Sequence, residues 1–359
     1  MSEELLPQEA LQALRAKAIS QPLVDSIYTA DPSAHVFDGK IYIYPSHDIE
    51  AGIPFNDNGD HFGMQDYHVI SMDSPNSPAV DNGVALHVQD VPWAARQMWA
   101  PDAAKKGDKY YFYFPAKKAD DLFQIGVAVG DSPLGPFLPQ PEPIRGSYTI
   151  DPAVFEDDDG QFYMYFGGIW GGQLQHYRNN KYDASLAEPA DYEAQLGPII
   201  AKMSDDMLEF AETPKEILIL DEKGQPLLAG DHDRRFFEAS WMHKYKGKYY
   251  FSYSTGNTHF LCYAMGDSPY GPFTYGGRIL EPVLGWTTHH SIAEFEGKWY
   301  LFYHDSSLSG GITHLRSVKM AEITYDTQGK INTLKPYRDW WHWTNKLRPI
   351  RQFKVCFIA

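Results

Sequence analysis

Aromatic and β-branched residues alternate with polar ones in short runs punctuated by glycine, and the pattern recurs five times along the chain. Aligned on the glycine, the copies read "DPSAHVFDGKIYIY" from Asp31, "APDAAKKGDKYYFY" from Ala100, "DPAVFEDDDGQFYMY" from Asp151, "EASWMHKYKGKYYFSY" from Glu238 and "HHSIAEFEGKWYLFY" from His289. Each predicts a strand, a tight turn and a second strand rich in Tyr, Phe and Trp, the sequence form of a β-hairpin. A second motif follows each copy: "YHVISMDSP", "IGVAVGDSPLGPF", "IIAKMSDDMLEF", "LCYAMGDSPYGPF" and "LRSVKMAEITYD". It predicts a third strand, a turn and an outer fourth strand.

Five units of about four strands predict an all-β fold, a five-bladed β-propeller forming one domain over residues 25–359. A sandwich of many short strands accounts for the strands but not for the fivefold repeat. Extra residues fall at 49–65, at roughly 169–196 and at 211–236, where stretches such as "NDNGDHFG" and "GGIWGGQLQ" predict rim loops. Ahead of the first copy, residues 1–24 place Leu and Ala at helical spacing and predict a short amphipathic helix.

Composition narrows the function. A chain of 359 residues with 43% hydrophobic and 15% aromatic residues is globular and well cored. Its net charge of −16 opposes phosphate backbones and anionic lipid, so neither nucleic acid nor a membrane surface is an expected partner. Cys262 and Cys356 are the two cysteines and fit no zinc spacing; two buried thiols are the expectation. The N-terminus lacks an apolar core of signal-peptide length and no segment approaches about 18 apolar residues, which makes the cytoplasm the expected compartment. The sequence carries no signal for the number of subunits.

In a propeller the first strand of each blade lines the central channel, so equivalent positions form a ring. Asp31, Asp151, Glu238 and His289 occupy that position, while the second blade offers Ala100 flanked by Trp99 and Asp102. Three carboxylates and a histidine converging on one pocket are costly unless used, because burial and like charge both oppose ionisation. One neutral and one ionised carboxyl flanking a bond is the chemistry of glycoside hydrolysis, and the aromatic surplus suits the apolar faces of sugars.

These segments, over about residues 25–340, resemble glycoside hydrolase family 43, the five-bladed propeller β-xylosidases and α-L-arabinofuranosidases. The resemblance implies Asp31 of "ADPSAHVF" as general base and Glu238 of "FFEASWMHKYKG" as general acid. Asp151 of "IDPAVFED" would orient that acid and raise its pKa. "WAPDA" implies Trp99 as a wall of the sugar pocket, and Arg316 in "HLRSVKM" is similar to an arginine that reaches substrate hydroxyls. "TTHHSI" implies His289 facing a central calcium, with His290 as the competing residue; since calcium prefers oxygen ligands, a water-filled shell is expected. Many members have Gly-Pro where this chain has Ala239-Ser240, and the C-terminal β-sandwich of some xylosidases is absent, leaving rim loops to close the pocket.

The expected activity is therefore an inverting, exo-acting hydrolase that removes xylose, and arabinofuranose as a side activity, from the non-reducing ends of small oligosaccharides. Its two carboxyls should stand roughly 6.5 to 9.5 Å apart to admit a water. A main activity as arabinofuranosidase or arabinanase comes next. A retaining fructan-active propeller is disfavoured by Ile150, where those relatives carry Arg, and a non-catalytic sugar-binding propeller would not need acids at the same position of three blades.

Overall fold

The structure is a computed structural model and describes residues 6–338. Four-stranded antiparallel sheets in sequence order make the first three blades. Blade 1 comprises Tyr28–Phe37, Lys40–Asp48, Asp66–Met72 and Val80–His87; blade 2, Asp102–Lys106, Lys109–Lys117, Phe123–Gly130 and Leu138–Pro139; blade 3, Ala153–Glu156, Phe162–Phe166, Ile199–Lys202 and Lys215–Glu216. Blade 4 runs Glu238–Tyr245, Lys248–Ser254, Leu261–Gly266 and Phe273–Leu280, and Ile219–Leu220 adds to its outer edge in parallel. The innermost strand of each blade touches those of its two neighbours, closing a ring of five.

The hairpins form where the glycines predict them. Asp38-Gly39, Lys246-Gly247 and Glu296-Gly297 each have two consecutive positive φ angles, the two-residue turn whose twist matches that of paired strands. Between blades, apolar faces interlock: Tyr44, Tyr67, Phe112 and Phe137 between blades 1 and 2, Tyr250, Tyr263, Leu301 and Tyr303 between 4 and 5, and Ile41, Ile43, Phe302 and Val318 between 5 and 1. Burying such rings supplies most of the cohesion of the ring of sheets.

Blade 5 departs from expectation. Among the described residues it has three strands, His290–Phe295, Lys298–Asp305 and Ser317–Ile323, and "LRSVKMAEITYD" yields only the third. The chain ahead of blade 1 and the start of its first strand meet that edge: the Leu23 N–H donates to the Val318 carbonyl (2.8 Å) and the Thr29 N–H to the Arg316 carbonyl (2.9 Å). These bonds tie the two ends of the ring together. Segment 211–236 is likewise more than a loop, since it supplies the outer strand of blade 3 and the extra edge of blade 4.

The expected N-terminal helix is Gln8–Lys17. It buries Leu14 against Leu284 and Tyr337, and the Arg15 guanidinium donates to the carbonyls of Ser307 and Leu308. Cys262 is buried as a free thiol, whereas Cys356 lies outside the described residues. Among the described residues no helix is long and apolar enough to cross a membrane.

Candidate active site

Near the start of three inner strands the backbone is irregular. The blade 1 hairpin slips register between Ala30 and Ser33, and the blade 4 hairpin between Glu238 and Trp241. Asp31 (φ 51°), Asp151 (φ 60°) and Ala239 (φ 64°) all sit in the left-handed region. Such bulges re-aim side chains and persist only where the surroundings enforce them. At Ala239 the conformation costs an L-residue about 1–2 kcal/mol, which explains why glycine suits this place in similar sequences.

Asp31 is the most tightly held group. Ser46 Oγ donates to its Oδ2 (2.7 Å), and Arg316 Nη1 and Nη2 donate to Oδ1 (2.9 Å) and Oδ2 (3.3 Å). Burial pushes its pKa up, but the Arg316 charge, His304, His289 and the Ser46 bond together outweigh burial and leave it below the usual carboxylate value. The Asp31 N–H donates to His304 Nδ1 (3.0 Å). That nitrogen therefore lacks a proton, and His304 Nε2–H donates to the Thr287 carbonyl (3.0 Å). Burial lowers the His304 pKa to about 4, so the ring stays neutral.

Arg316, which the resemblance implies as reaching substrate hydroxyls, has protein partners for its donors in the structure. Nε and Nη2 bond Asp48 (2.8 and 2.7 Å), Nη1 and Nη2 bond Asp31, and Nη1 also bonds Thr287 Oγ1 (3.0 Å). A guanidinium has five N–H donors and all of them are taken. Arg316 thus clamps Asp31 to Asp48.

Asp151 and Glu238 are biased the opposite way. Burial, then the neighbouring Asp151 and Asp31 charges, raise the Glu238 pKa well above normal. Burial and the Asp31 charge raise that of Asp151, but the Ala239 N–H donates to Asp151 Oδ2 (2.7 Å) and supports its anion. Both carboxyls are pushed upward, and among the described residues only Asp151 of the two has a backbone N–H that favours its anion.

His289 Nδ1 lies 3.8 Å from Asp151 Oδ2 and 4.0 Å from Asp31 Oδ1, with its pKa lowered to about 4 by burial. His290 turns away and bonds Ser252 Oγ (2.6 Å), so His289 alone of the two faces the carboxylates. Trp99 is 9% exposed, its indole N–H donates to the Phe62 carbonyl (2.8 Å), and it packs with Phe62, Phe123 and Ile150. Loops of blades 1 and 3 meet over its edge: a Cβ at Gly59 would lie 2.7 Å from the ring, and one at Gly171 3.1 Å from it and 3.2 Å from the Asn58 carbonyl oxygen. On the Glu238 side, Trp170, Phe237 and Trp286 pack with ring centres 5.2–5.8 Å apart.

Ser46, Asp48, Thr287, His304, Trp170 and Trp286 were not singled out from the sequence. A signal existed for two of them, because His-Asp ends the second strand of blade 1 (His47-Asp48) and of blade 5 (His304-Asp305). The aromatics lie in irregular segments, where periodicity says nothing about the side-chain direction.

Comparison with known proteins settles the kinship. The family model described as glycosyl hydrolases family 43 matches residues 28–331. The chain belongs to this family. Within family 43 it is 66% identical to the xylosidase/arabinosidase 43A of Humicola insolens, over 88% of this chain and 99% of that protein. The crystal structure of a family 43 β-xylosidase/α-arabinofuranosidase from a compost microbial metagenome, in complex with xylotriose and calcium-free, superposes with a TM-score of 0.87 at 67% identity; it covers 89% of this chain and 98% of its own. A Xanthomonas citri family 43 enzyme complexed with xylotriose superposes at 0.89 with 60% identity, over 92% and 98%.

The clamp is open to test. Arg316→Met leaves Asp31 and Asp48 buried without their cation and should cost about 3–5 kcal/mol in denaturant unfolding at neutral pH. Asp31, with a depressed pKa, stabilises the wild type above its unfolded value of 3.8 and loses that contribution as pH falls through the folded pKa. The gap between the two proteins should therefore narrow as pH drops toward about 3, and an equal gap at both pH values would refute the clamp.

Proposed function

We propose that this family 43 enzyme is an exo-acting, inverting β-xylosidase that also releases arabinofuranose, with Asp31 as general base and Glu238 as general acid. The observation that carries this reading is the opposite bias of two carboxyls in one channel: Asp31 held ionised by Arg316 and Ser46, Glu238 held protonated by burial and by Asp151. Asp31 takes a proton from a water on one face of the sugar while Glu238 gives one to the departing oxygen on the other. Asp151 touches neither and tunes Glu238 through its charge. The loops meeting over Trp99 favour a pocket closed on one side, which suits removal of a terminal sugar. The Trp170, Phe237 and Trp286 rings offer an apolar ledge to the leaving portion. The choice of sugar rests on the relatives: the Humicola insolens protein and the compost metagenome enzyme are named for xylose and arabinose, and the metagenome and Xanthomonas citri enzymes were solved with xylotriose.

NMR of the first product tests the mechanism: a β-xyloside should yield α-xylose before mutarotation. Initial β-xylose would require a covalent intermediate and end the inverting assignment.

The roles separate by leaving group. Glu238→Ala should lower kcat/KM on xylobiose by about 10²- to 10⁴-fold yet spare most of the rate on a dinitrophenyl xyloside, which departs without a proton; Asp31→Ala should depress both. In Asp151→Asn the charge that raises the Glu238 pKa is gone, so the alkaline limb of the pH profile should move to lower pH. Equal losses on the two substrates for Glu238→Ala would remove it from the acid role.

Calcium enters in a restricted form. The channel offers one imidazole nitrogen beside carboxylates already committed to Arg316, Ser46 and Ala239, which is not a set of six to eight oxygens. These residues fit a hydrated ion held through its water by His289, and such a cation would ease the repulsion among Asp31, Asp151 and Glu238. Calcium should raise the melting temperature of the wild type and not that of His289→Ala. An equal response in both proteins, or none in either, would withdraw the ion from the proposal.

A further inference from the structure

Blade 1 carries a second group of ionisable side chains that hydrolysis does not use. The register pairs Ser46 with Tyr67, which sets His47 opposite Asp66, and His68 follows on the same face two residues later. His47 Nδ1 bonds Asp66 Oδ1 (2.7 Å), and His68 Nδ1 bonds Asp81 Oδ1 (2.8 Å) on the fourth strand. The Gly83 N–H fixes that Asp81 oxygen in turn (2.9 Å). A carboxylate only accepts, so in the neutral His68 ring Nδ1 holds the proton for Asp81 and Nε2 presents its lone pair, the arrangement found behind metal-bound imidazoles. At His47 a metal ion would replace the proton shared between Nδ1 and Asp66 Oδ1.

The two rings approach to 4.6 Å at 61°. One ligand atom from each of His47, Asp66 and His68 lies within 4.8 Å of the others. The side chains keep 10–22% of their surface exposed, so an ion can enter while the strands hold the backbone.

We propose that His47, Asp66 and His68 form a transition-metal site on blade 1, with Asp81 positioning His68. Two imidazole nitrogens and one carboxylate oxygen suit zinc, cobalt, nickel or copper rather than calcium or magnesium. Ligands at about 2.1 Å from one such ion stand about 3.4 Å apart, so small side-chain rotations close the set. A ladder of two His–carboxylate pairs explains the hydrogen bonds equally well, but it does not require three ligand atoms to converge. The place matters for the enzyme: His47 precedes Asp48, which grips Arg316, and pairs with Thr29 beside Asp31's strand bulge. An ion there would stiffen the strand end that carries the clamp.

Tag-free protein stripped with a chelator and titrated with Zn²⁺ by calorimetry at pH 7 should take up one ion with saturation, and its melting temperature should rise. His68→Gln and His47→Gln should each weaken binding more than tenfold, and Asp81→Asn by about 10- to 100-fold. His289→Ala should bind zinc like the wild type, which separates this site from the channel and from the hydrolytic reading. Circular dichroism confirms that each variant is folded, and Asp81→Asn carries the test if a histidine variant is not. No saturable uptake, or uptake unchanged in the folded variants, would mean that the cluster is a polar ladder and would overturn the proposal.

Discussion

A buried arginine between two aspartates holds together both the ring and its chemistry. Arg316 comes from blade 5 and Asp31 and Asp48 from blade 1, so four of the five guanidinium bonds cross the seam where the circle of blades closes. The Arg316 N–H also donates to Asp48 Oδ2, and its carbonyl accepts from Thr29. Taking these charges from water is expensive, and the arrangement persists only because every donor is used. The same contact that closes the propeller therefore keeps Asp31 ionised. Fold closure and readiness for proton abstraction are one interaction seen from two sides.

Opposite that seam the logic reverses. Glu238 sits in the half of the channel where the nearest charges are carboxylates, and Arg316 spends its field on Asp31 and Asp48. Two acids of similar intrinsic strength are thus biased in opposite directions, because burial and neighbouring anions push Glu238 up while Arg316 overcomes the burial of Asp31. Strained backbone at Asp31, Asp151 and Ala239 is the means by which regular strands aim these groups inward. The packed aromatic interfaces behind the strands supply the rigidity that holds this strain in place.

Much of this was readable in the chain itself. Asp38-Gly39 and Glu296-Gly297 specify their turns locally, strand alternation is a matter of neighbouring residues, and the fivefold repeat follows from both. The ring of Asp31, Asp151, Glu238 and His289 was legible because equivalent places in repeats must converge on an axis. Blade 5 departs from the repeat because, among the described residues, its outer edge is covered by chain from the other end of the ring, which no local pattern announces.

What only the tertiary structure decided is how the converging groups divide the work. The sequence by itself could name Arg316 but not its partners, since Asp31 lies 285 residues away and Asp48 lies 268. It could offer His289 and His290 but not say which ring faces the carboxylates and which turns to Ser252. Nor could it show loops 49–65 and 169–196 meeting over Trp99. Protonation, hydrogen bonding and pocket shape depend on distances of a few ångströms in a medium of low polarity. Those distances are set by how five sheets pack around an axis, whereas residue type and local spacing determine only the sheets.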